Sequence, residues 1–267
     1  MEVNCYMSTK LRFLGFSAFY ITTQNDTRII IDPYINNNPA SPLKVDTLKK
    51  VDLILVSHAA FDHLGDSAEI AIKYKCPVIC GGDTKLLLLE RGVPANQLIE
   101  TVWGLTVKAA GIKVRPVESR HRSATRLNDG SFVTALPLGF IIYLEDGTRI
   151  YNASDTALFS DLKLIGELHR PHLGLMNVTI ENCFDFLPEF LTGEMTPYEA
   201  ALASQWLGLD YAIACHYTIK DCEDVNQFVQ LLNQMKNEDK PYVKPIAMNP
   251  GEEFIYEEQG DGKVVNK

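Results

Sequence analysis

The sequence predicts an α/β fold in which two β-sheets, covered outside by helices, form one domain over residues 1–267. Apolar strand-like segments and amphipathic helical segments occur in both halves of the chain. No linker or low-complexity stretch separates the halves. In addition, several apolar segments end on a histidine or an aspartate, which places ionisable groups where loops leave the sheets.

Taken in chain order, KLRFLGFSAFYITT and TRIIIDPYI bracket the turn QNDT and predict a hairpin. VDLILVSH is a continuous apolar strand. From Asp66 the spacing of Ala68, Ala71, Ile72 and Lys75 predicts a helix. CPVICGG predicts a further short strand, and DTKLLLLERGV a helix with a glycine stop. LTVKAAGIKVRPVESRH alternates as strand, turn and strand and ends on His121. FVTALPLGFIIYLEDGTRIYNASD predicts a second hairpin with Asp-Gly at its turn, ending on Asp155. Helices are expected at about 158–169 and, after a Thr-Pro start, at about 196–207. DYAIACHY is a short strand ending on His216. In CEDVNQFVQLLNQMKNE, Val225, Phe228, Val229 and Leu232 share one face, as in an amphipathic helix. The aromatic-rich segment 179–195 lacks periodicity and is expected to be a loop over the site.

The bulk numbers bound the function. A chain of 267 residues with 46% hydrophobic and 22% charged residues can bury a sizeable core. No run approaches the ~18 apolar residues that span a membrane. MEVNCYMSTKLRF lacks the basic start and apolar core of a signal peptide, so a cytoplasmic location is expected. The cysteines at 5, 76, 80, 183, 215 and 222 form no CxxC pair, and in a reducing compartment they read as buried thiols. The net charge of −9, from 34 acidic against 25 basic residues, argues against a nucleic-acid-coating protein.

The chemistry lies in the strand ends. His58, Asp62 and His63 follow one apolar segment, and His121, Asp155 and His216 each end another. Imidazoles and carboxylates are the usual protein ligands of zinc, manganese and iron. A lone histidine at such a place is more often a hydrogen-bonded structural residue. Repetition of the placement, which takes four of the six histidines, points instead to one shared metal site.

SHAAFDHLGD resembles the H-x-H-x-D-H motif of the metallo-β-lactamase superfamily. SRHRSA, YNASDTALFSDLKLIGE and ACHYT continue the resemblance in the family's order. GFSAFYI, IIIDPYI, GEMTPYEAALA and MNPGE extend it over nearly the whole chain, from Lys10 to Glu252. The group most similar is that of small metal-dependent hydrolases related to L-ascorbate-6-phosphate lactonase.

The resemblance implies a four-layer αββα sandwich with two divalent metals at one edge, zinc first, with manganese or iron as alternatives. By position, His58, His121 and a bridging Asp155 would serve the first metal. Asp62, His63, Asp155 and His216 would serve the second. The family's middle histidine falls at Ala60, so the first metal would keep two imidazoles and the shared carboxylate. Such a site would bind more weakly, or would recruit water, substrate or another side chain. One metal, two metals and loss of catalysis all stay open on this ground.

A bound metal lowers the pKa of its water toward ~7 and polarises a carbonyl or phosphoryl oxygen. Asp62 is the catalytic candidate, both as ligand and as proton acceptor. Cys215 precedes His216, but strand alternation turns it away, and a buried structural thiol is expected. Asp32 and Asp66 are candidates for orienting ligand imidazoles; Asp66 reads equally well as a helix N-cap. Arg120, Arg122 and Arg126 flank His121 and can clamp a substrate carboxylate or phosphate, although a solvated loop face is the more frequent reading of such a cluster. Asn177, Thr179 and Glu181 fall where relatives carry a Pro-Ile-Gly type loop, which makes Asn177 a candidate substrate contact.

Together these readings predict a metal-dependent hydrolase of a small polar, anionic substrate: a lactone, cyclic amide or ester. A phosphodiesterase is the runner-up, and a non-catalytic metal- or ligand-binding member is the competing class. No nucleic-acid or membrane partner is expected, and homo-oligomer formation stays open.

Overall fold

The computed structural model describes residues 8–178, 194–236, 242–257 and 262–265. The chain begins with β1 (Thr9–Phe13) and β2 (Phe19–Thr22), whose residues alternate between buried and half-buried. Then come β3 (Arg28–Ile31), β4 (Leu53–Leu55), β5 (Val78–Cys80) and β6 (Leu98–Glu100). β2 and β3 form the expected antiparallel hairpin, whereas β3 to β6 pair in parallel. Parallel pairing demands crossovers, and helices α1 (Phe61–Leu64), α2 (Ser67–Tyr74) and α3 (Gly82–Glu90) lie within them.

The second half opens with β7 (Val107–Ala109) and β8 (Ile112–Glu118), followed by the small hairpin of β9 (Ser123–Arg126) and β10 (Phe132–Ala135). β11 (Leu138–Tyr143) and β12 (Arg149–Asn152) pair antiparallel across the Asp146-Gly147 turn, with Gly147 at φ +90°. The chain continues through α4 (Leu162–His169), β13 (Leu173–Asn177), α5 (Pro197–Leu207), β14 (Tyr211–Cys215) and α6 (Glu223–Gln234). It ends with β15 (Lys244–Ile246), β16 (Glu253–Tyr256) and β17 (Lys263–Val265). One sheet has eight strands in the order β17-β16-β1-β2-β3-β4-β5-β6, and the other has seven in the order β15-β14-β13-β12-β11-β8-β7.

Strand periodicity divides the core. Leu11, Phe13, Ile29, Ile31, Leu53 and Leu55 point from the first sheet into a cluster shared with Val114, Phe140, Ile142, Leu175 and Ile213 of the second. Ile30, Ile54 and Val78 point the other way and pack under Ile70, Ala71 and Leu88 of α2 and α3. On the far face of the second sheet, Leu162, Ala200, Leu207 and Phe228 bring α4, α5 and α6 into the shared cluster. The layers are therefore helices, sheet, sheet, helices.

Two expectations need adjustment. FVTA does not run on into the second hairpin; it forms β10 and pairs with β9. Pro137 lacks the N–H that would continue the ladder, and Leu138 donates across to Ser57 O (2.9 Å), which begins a new strand. Of the segment expected to cover the site, residues 179–193 lie outside the described residues. Among the described residues no helix is long and apolar enough to cross a membrane.

Candidate metal centre

The loop after β4 and the one-turn helix α1 deliver His58, Asp62 and His63, with Ala60 at the helix N-cap. Gly65 closes this turn at φ +41°, and a Cβ there would lie 2.4 Å from Pro33 O. Behind it, Asp66 donates its N–H to Pro33 O (2.9 Å), and its carboxylate accepts from Ile35 N and Asn36 N, each at 2.8 Å. The suggestion that Asp66 orients a ligand imidazole is thereby corrected. The Gly65 bend turns its carboxylate onto the loop after β3, and although Asp66 occupies the N-cap position of α2 it makes no capping hydrogen bond.

His121 follows β8, and its loop is stitched to the one carrying Asp155. Ser119 Oγ donates to Asp155 O (2.8 Å), and Arg120 N donates to Thr156 Oγ1 (2.8 Å). His216, one residue beyond β14, donates its N–H to Phe16 O (2.7 Å), and Phe16 N donates in return to Tyr217 O (2.9 Å). This bridge clamps the turn between β1 and β2 onto the second sheet. Asp32, Ser154 and His216 all have left-handed backbones, at φ +43°, +56° and +68°. Each such non-glycine residue costs on the order of 1 kcal/mol, and all three lie where strands end at the site.

The six side chains form two donor groups that share one carboxylate. One contains Asp62, His63, Asp155 and His216, the other His58, His121 and Asp155; in each, the donor atoms lie within 4.8 Å of one another. Asp155 Oδ2 lies 2.9 Å from His63 Nε2, 3.8 Å from His58 Nε2 and 3.9 Å from His121 Nε2. His216 Nε2 lies 3.4 Å from Asp155 Oδ1 and 3.5 Å from Asp62 Oδ2. All except half-buried His121 are buried.

The atoms suit a cation. Asp32 Oδ2 stands 2.8 Å from His63 Nδ1, and it also accepts from Ser57 Oγ (2.8 Å) while Asp32 Oδ1 accepts from Ser57 N (2.8 Å). With the Nδ1 proton given to Asp32, the lone pair of His63 Nε2 faces Asp155 Oδ2. Two lone pairs at 2.9 Å are stable only with a proton or a metal ion between them. His58 Nε2, His63 Nε2 and Asp155 Oδ1 are buried and make no hydrogen bond among the described residues. Buried polar atoms are ordinarily paired, so these three mark where a metal fits.

Electrostatics follow from the same packing. Burial works against a charged His63, but Asp155, Asp62 and Asp32 outweigh it and raise its pKa well above the usual imidazole value. His216 is likewise raised, with burial overcome mainly by Asp155. Burial and the neighbouring His63 charge hold His58 well below that value. Asp155 is driven well below the usual carboxylate range, because His216 and His63 outweigh its burial.

The substrate-contact candidates make hydrogen bonds and ring contacts of their own. Arg120 Nε donates to Glu118 Oε1 (2.9 Å), and its guanidinium lies 5.0 Å from the Phe159 ring centroid. Exposed Arg122 lies 6.0 Å from the Phe132 ring centroid. Asn177 is fully buried, and with its amide oriented by its neighbours it donates to Ser154 O (2.8 Å) and accepts from Met195 N (3.1 Å). These two bonds brace the loop before Asp155. Thr179 and Glu181 lie outside the described residues. Cys215 is buried, and burial pushes its thiol up, as expected of a structural cysteine.

One acidic residue escaped the reading of the sequence. Glu194 is buried, with Oε2 lacking a hydrogen-bond partner among the described residues. Burial pushes its carboxyl up to about 7, against the attraction of His216. The signal available was an acid in GEMTP, just before the capping box of Thr196 and Glu199 that starts α5.

Comparison with known proteins agrees with this geometry. The profile of the Beta-lactamase superfamily domain matches residues 27–217. A UPF0173 metal-dependent hydrolase of Methanobrevibacter smithii is 34% identical over 250 residues, covering 92% of this chain and 97% of that protein. One from Archaeoglobus fulgidus is 32% identical over 253 residues, covering 92% and 99%. Among solved structures, Igni18, a metallo hydrolase from Ignicoccus hospitalis, superposes with a TM-score of 0.74 at 27% identity, covering 94% of this chain and 99% of that one.

Proposed function

The chain belongs to the β-lactamase superfamily as one of its metal-dependent hydrolases, and from that premise we propose that it cleaves a small polar lactone, cyclic amide or ester with water. The observation that carries this reading is the shared Asp155, which joins two groups of donors in one buried centre. Asp62, His63, Asp155 and His216 would hold one divalent cation, and His58, His121 and Asp155 a second. Zinc suits the mixed imidazole and carboxylate donors best, with manganese or iron as alternatives. When bound, such a cation acts as a Lewis acid that polarises the scissile carbonyl and lowers the pKa of water.

The chain's own residues do the rest. Asp32 holds the His63 tautomer so that Nε2 faces the centre. Asp62, with Oδ2 within 3.6 Å of His63 and 3.5 Å of His216, is the acceptor for the proton that the attacking water gives up. Ala60 supplies no donor, so the group of three keeps a side open for water or substrate. An anionic substrate was expected from Arg120 and Arg122; their contacts with Glu118, Phe159 and Phe132 give that charge no support, and it is not part of this reading.

We also read the chain as one domain, because both sheets contribute to one core. A reducing, cytoplasmic setting suits the buried thiols of Cys76, Cys80 and Cys215. The test is hydrolysis of a panel of lactones, cyclic amides and carboxylic esters by chelator-treated protein, with zinc, manganese or iron added back. Metal-dependent turnover of one class is expected; inertness with every metal on the whole panel would remove the lactone, cyclic amide and ester reading.

A further inference from the structure

β12, β13 and β14 are adjacent parallel strands whose C-terminal ends lead to Asp155, Asn177 and His216. Asn177, at the end of the middle strand, holds Met195 through its N–H, and Thr196 then opens α5 with a reciprocal cap. Glu194 is therefore tied to the edge of the sheet that carries Asp155 and His216. Its side chain is buried at 5% exposure, and its Oε2 makes no hydrogen bond. The charges acting on it are those of His216, Asp155, His63 and Asp62, all four members of one donor group.

A buried carboxylate without a donor is unfavourable unless positive charge is brought to it. Asp62 and Asp155 already provide negative charge to the same group, so without a metal a proton neutralises the buried Glu194 carboxyl, and a cation taken up by the group would favour its ionised form. Glu194 is not one of the atoms lying within 4.8 Å of each other, so it flanks the donor set without joining it.

We propose that Glu194 is a metal-retention residue, a flanking carboxylate that strengthens the hold of the Asp62, His63, Asp155 and His216 group on a divalent cation. This rests on the reading of that group as a metal site. It extends the centre onto the segment before α5, a part of the chain that the H-x-A-x-D-H stretch does not reach.

The test compares wild type, Glu194→Gln and Glu199→Ala by zinc competition against a chromophoric chelator, alongside melting of the metal-free proteins. Glu194→Gln is expected to weaken zinc binding about 10–100-fold while the metal-free melting temperature stays level or rises, since the amide replaces a buried carboxyl whose ionised form has no donor there. Glu199→Ala, which breaks only the cap, is expected to lower the melting temperature and leave zinc affinity within about 2-fold of wild type. Unchanged zinc affinity in Glu194→Gln overturns the proposal. So does a fall in affinity accompanied by a fall in metal-free melting temperature, which would mark a structural role. A wild type that binds no zinc, manganese or iron overturns the metal site itself and this inference with it.

Discussion

His63 presents Nδ1 to Asp32 Oδ2 at 2.8 Å, and both side chains are fully buried. Ser57 completes the arrangement by donating to both oxygens of Asp32. The carboxylate thus fixes which imidazole nitrogen faces the centre. Asp32→Asn is expected to lower metal affinity about 10–100-fold with the fold retained. Isothermal titration with zinc checks this, and an unchanged affinity would deny Asp32 its orienting role.

The two donor groups can be separated by mutation. His121 belongs only to the group of three and His216 only to the group of four. His216→Ala is expected to remove the tighter of two binding steps and His121→Ala the weaker. Metal titration monitored step by step distinguishes them; identical effects of the two substitutions would mean that one site, not two, binds metal.

Ala60 offers the converse experiment. It occupies the N-cap position of α1, two residues after His58, and contributes no donor atom. Ala60→His is expected to tighten the weaker binding step by at least about 10-fold, because affinity follows the number of well-placed ligands. If metal stoichiometry and affinity both stay as in wild type, the group of three is not limited by a donor missing at Ala60.

The pH dependence of the metal-free protein follows from opposite shifts. The stability contributed by depressed Asp155 is complete above its ordinary value of 3.8 and is lost as pH falls through the depressed folded value. The stability contributed by raised His63 is complete below its ordinary value of 6.5 and is lost as pH rises through the raised folded value. The contributions of Asp155 and His63 are therefore both complete between about 4 and 6.5, while His58, held low by burial, works against the metal-free fold as pH falls below 6.5. Metal must displace the His63 and His216 protons, so its affinity is expected to rise with pH, with protons released on binding near pH 7. Urea melts with chelator and zinc titrations in buffers of different ionisation enthalpy check the two halves; an affinity flat between pH 6 and 8 would contradict the second.

Gly65 couples fold to site. At φ +41° with Pro33 O only 2.4 Å from an added Cβ, Gly65→Ala must displace the loop after β3 or the α1 turn. A loss of more than about 1 kcal/mol is expected, together with weaker metal binding. Chemical denaturation read beside zinc affinity checks this, and a variant as stable as wild type would show that the turn can relax.

Much of this was legible in the sequence because strand ends and ligands coincide. The apolar run before His58, the Asp-Gly turn and the Thr-Pro helix start are local signals, and each stands close to where it was expected. The side chains that the family resemblance implies for each metal lie together in space as two donor groups. Other features depend on distant contacts and had no local signal. Pro137 ends one strand and starts another only because Ser57 lies across from Leu138. Asp66 faces Ile35 and Asn36 only because Gly65 bends the chain. Arg120 is close to His121 in sequence, yet strand geometry hands it to Glu118. Glu194 carries its meaning through burial alone, which a segment without periodicity does not reveal.

Asp155 is the residue on which the whole centre depends, since both donor groups include it. The most direct measurement is elemental analysis of chelator-stripped, zinc-reconstituted wild type beside Asp155→Ala, with circular dichroism confirming that both are folded. Tightly held zinc in the wild type and essentially none in the variant is the predicted result. Wild type without bound metal, or Asp155→Ala retaining the wild-type amount, would contradict a metal centre built on this carboxylate.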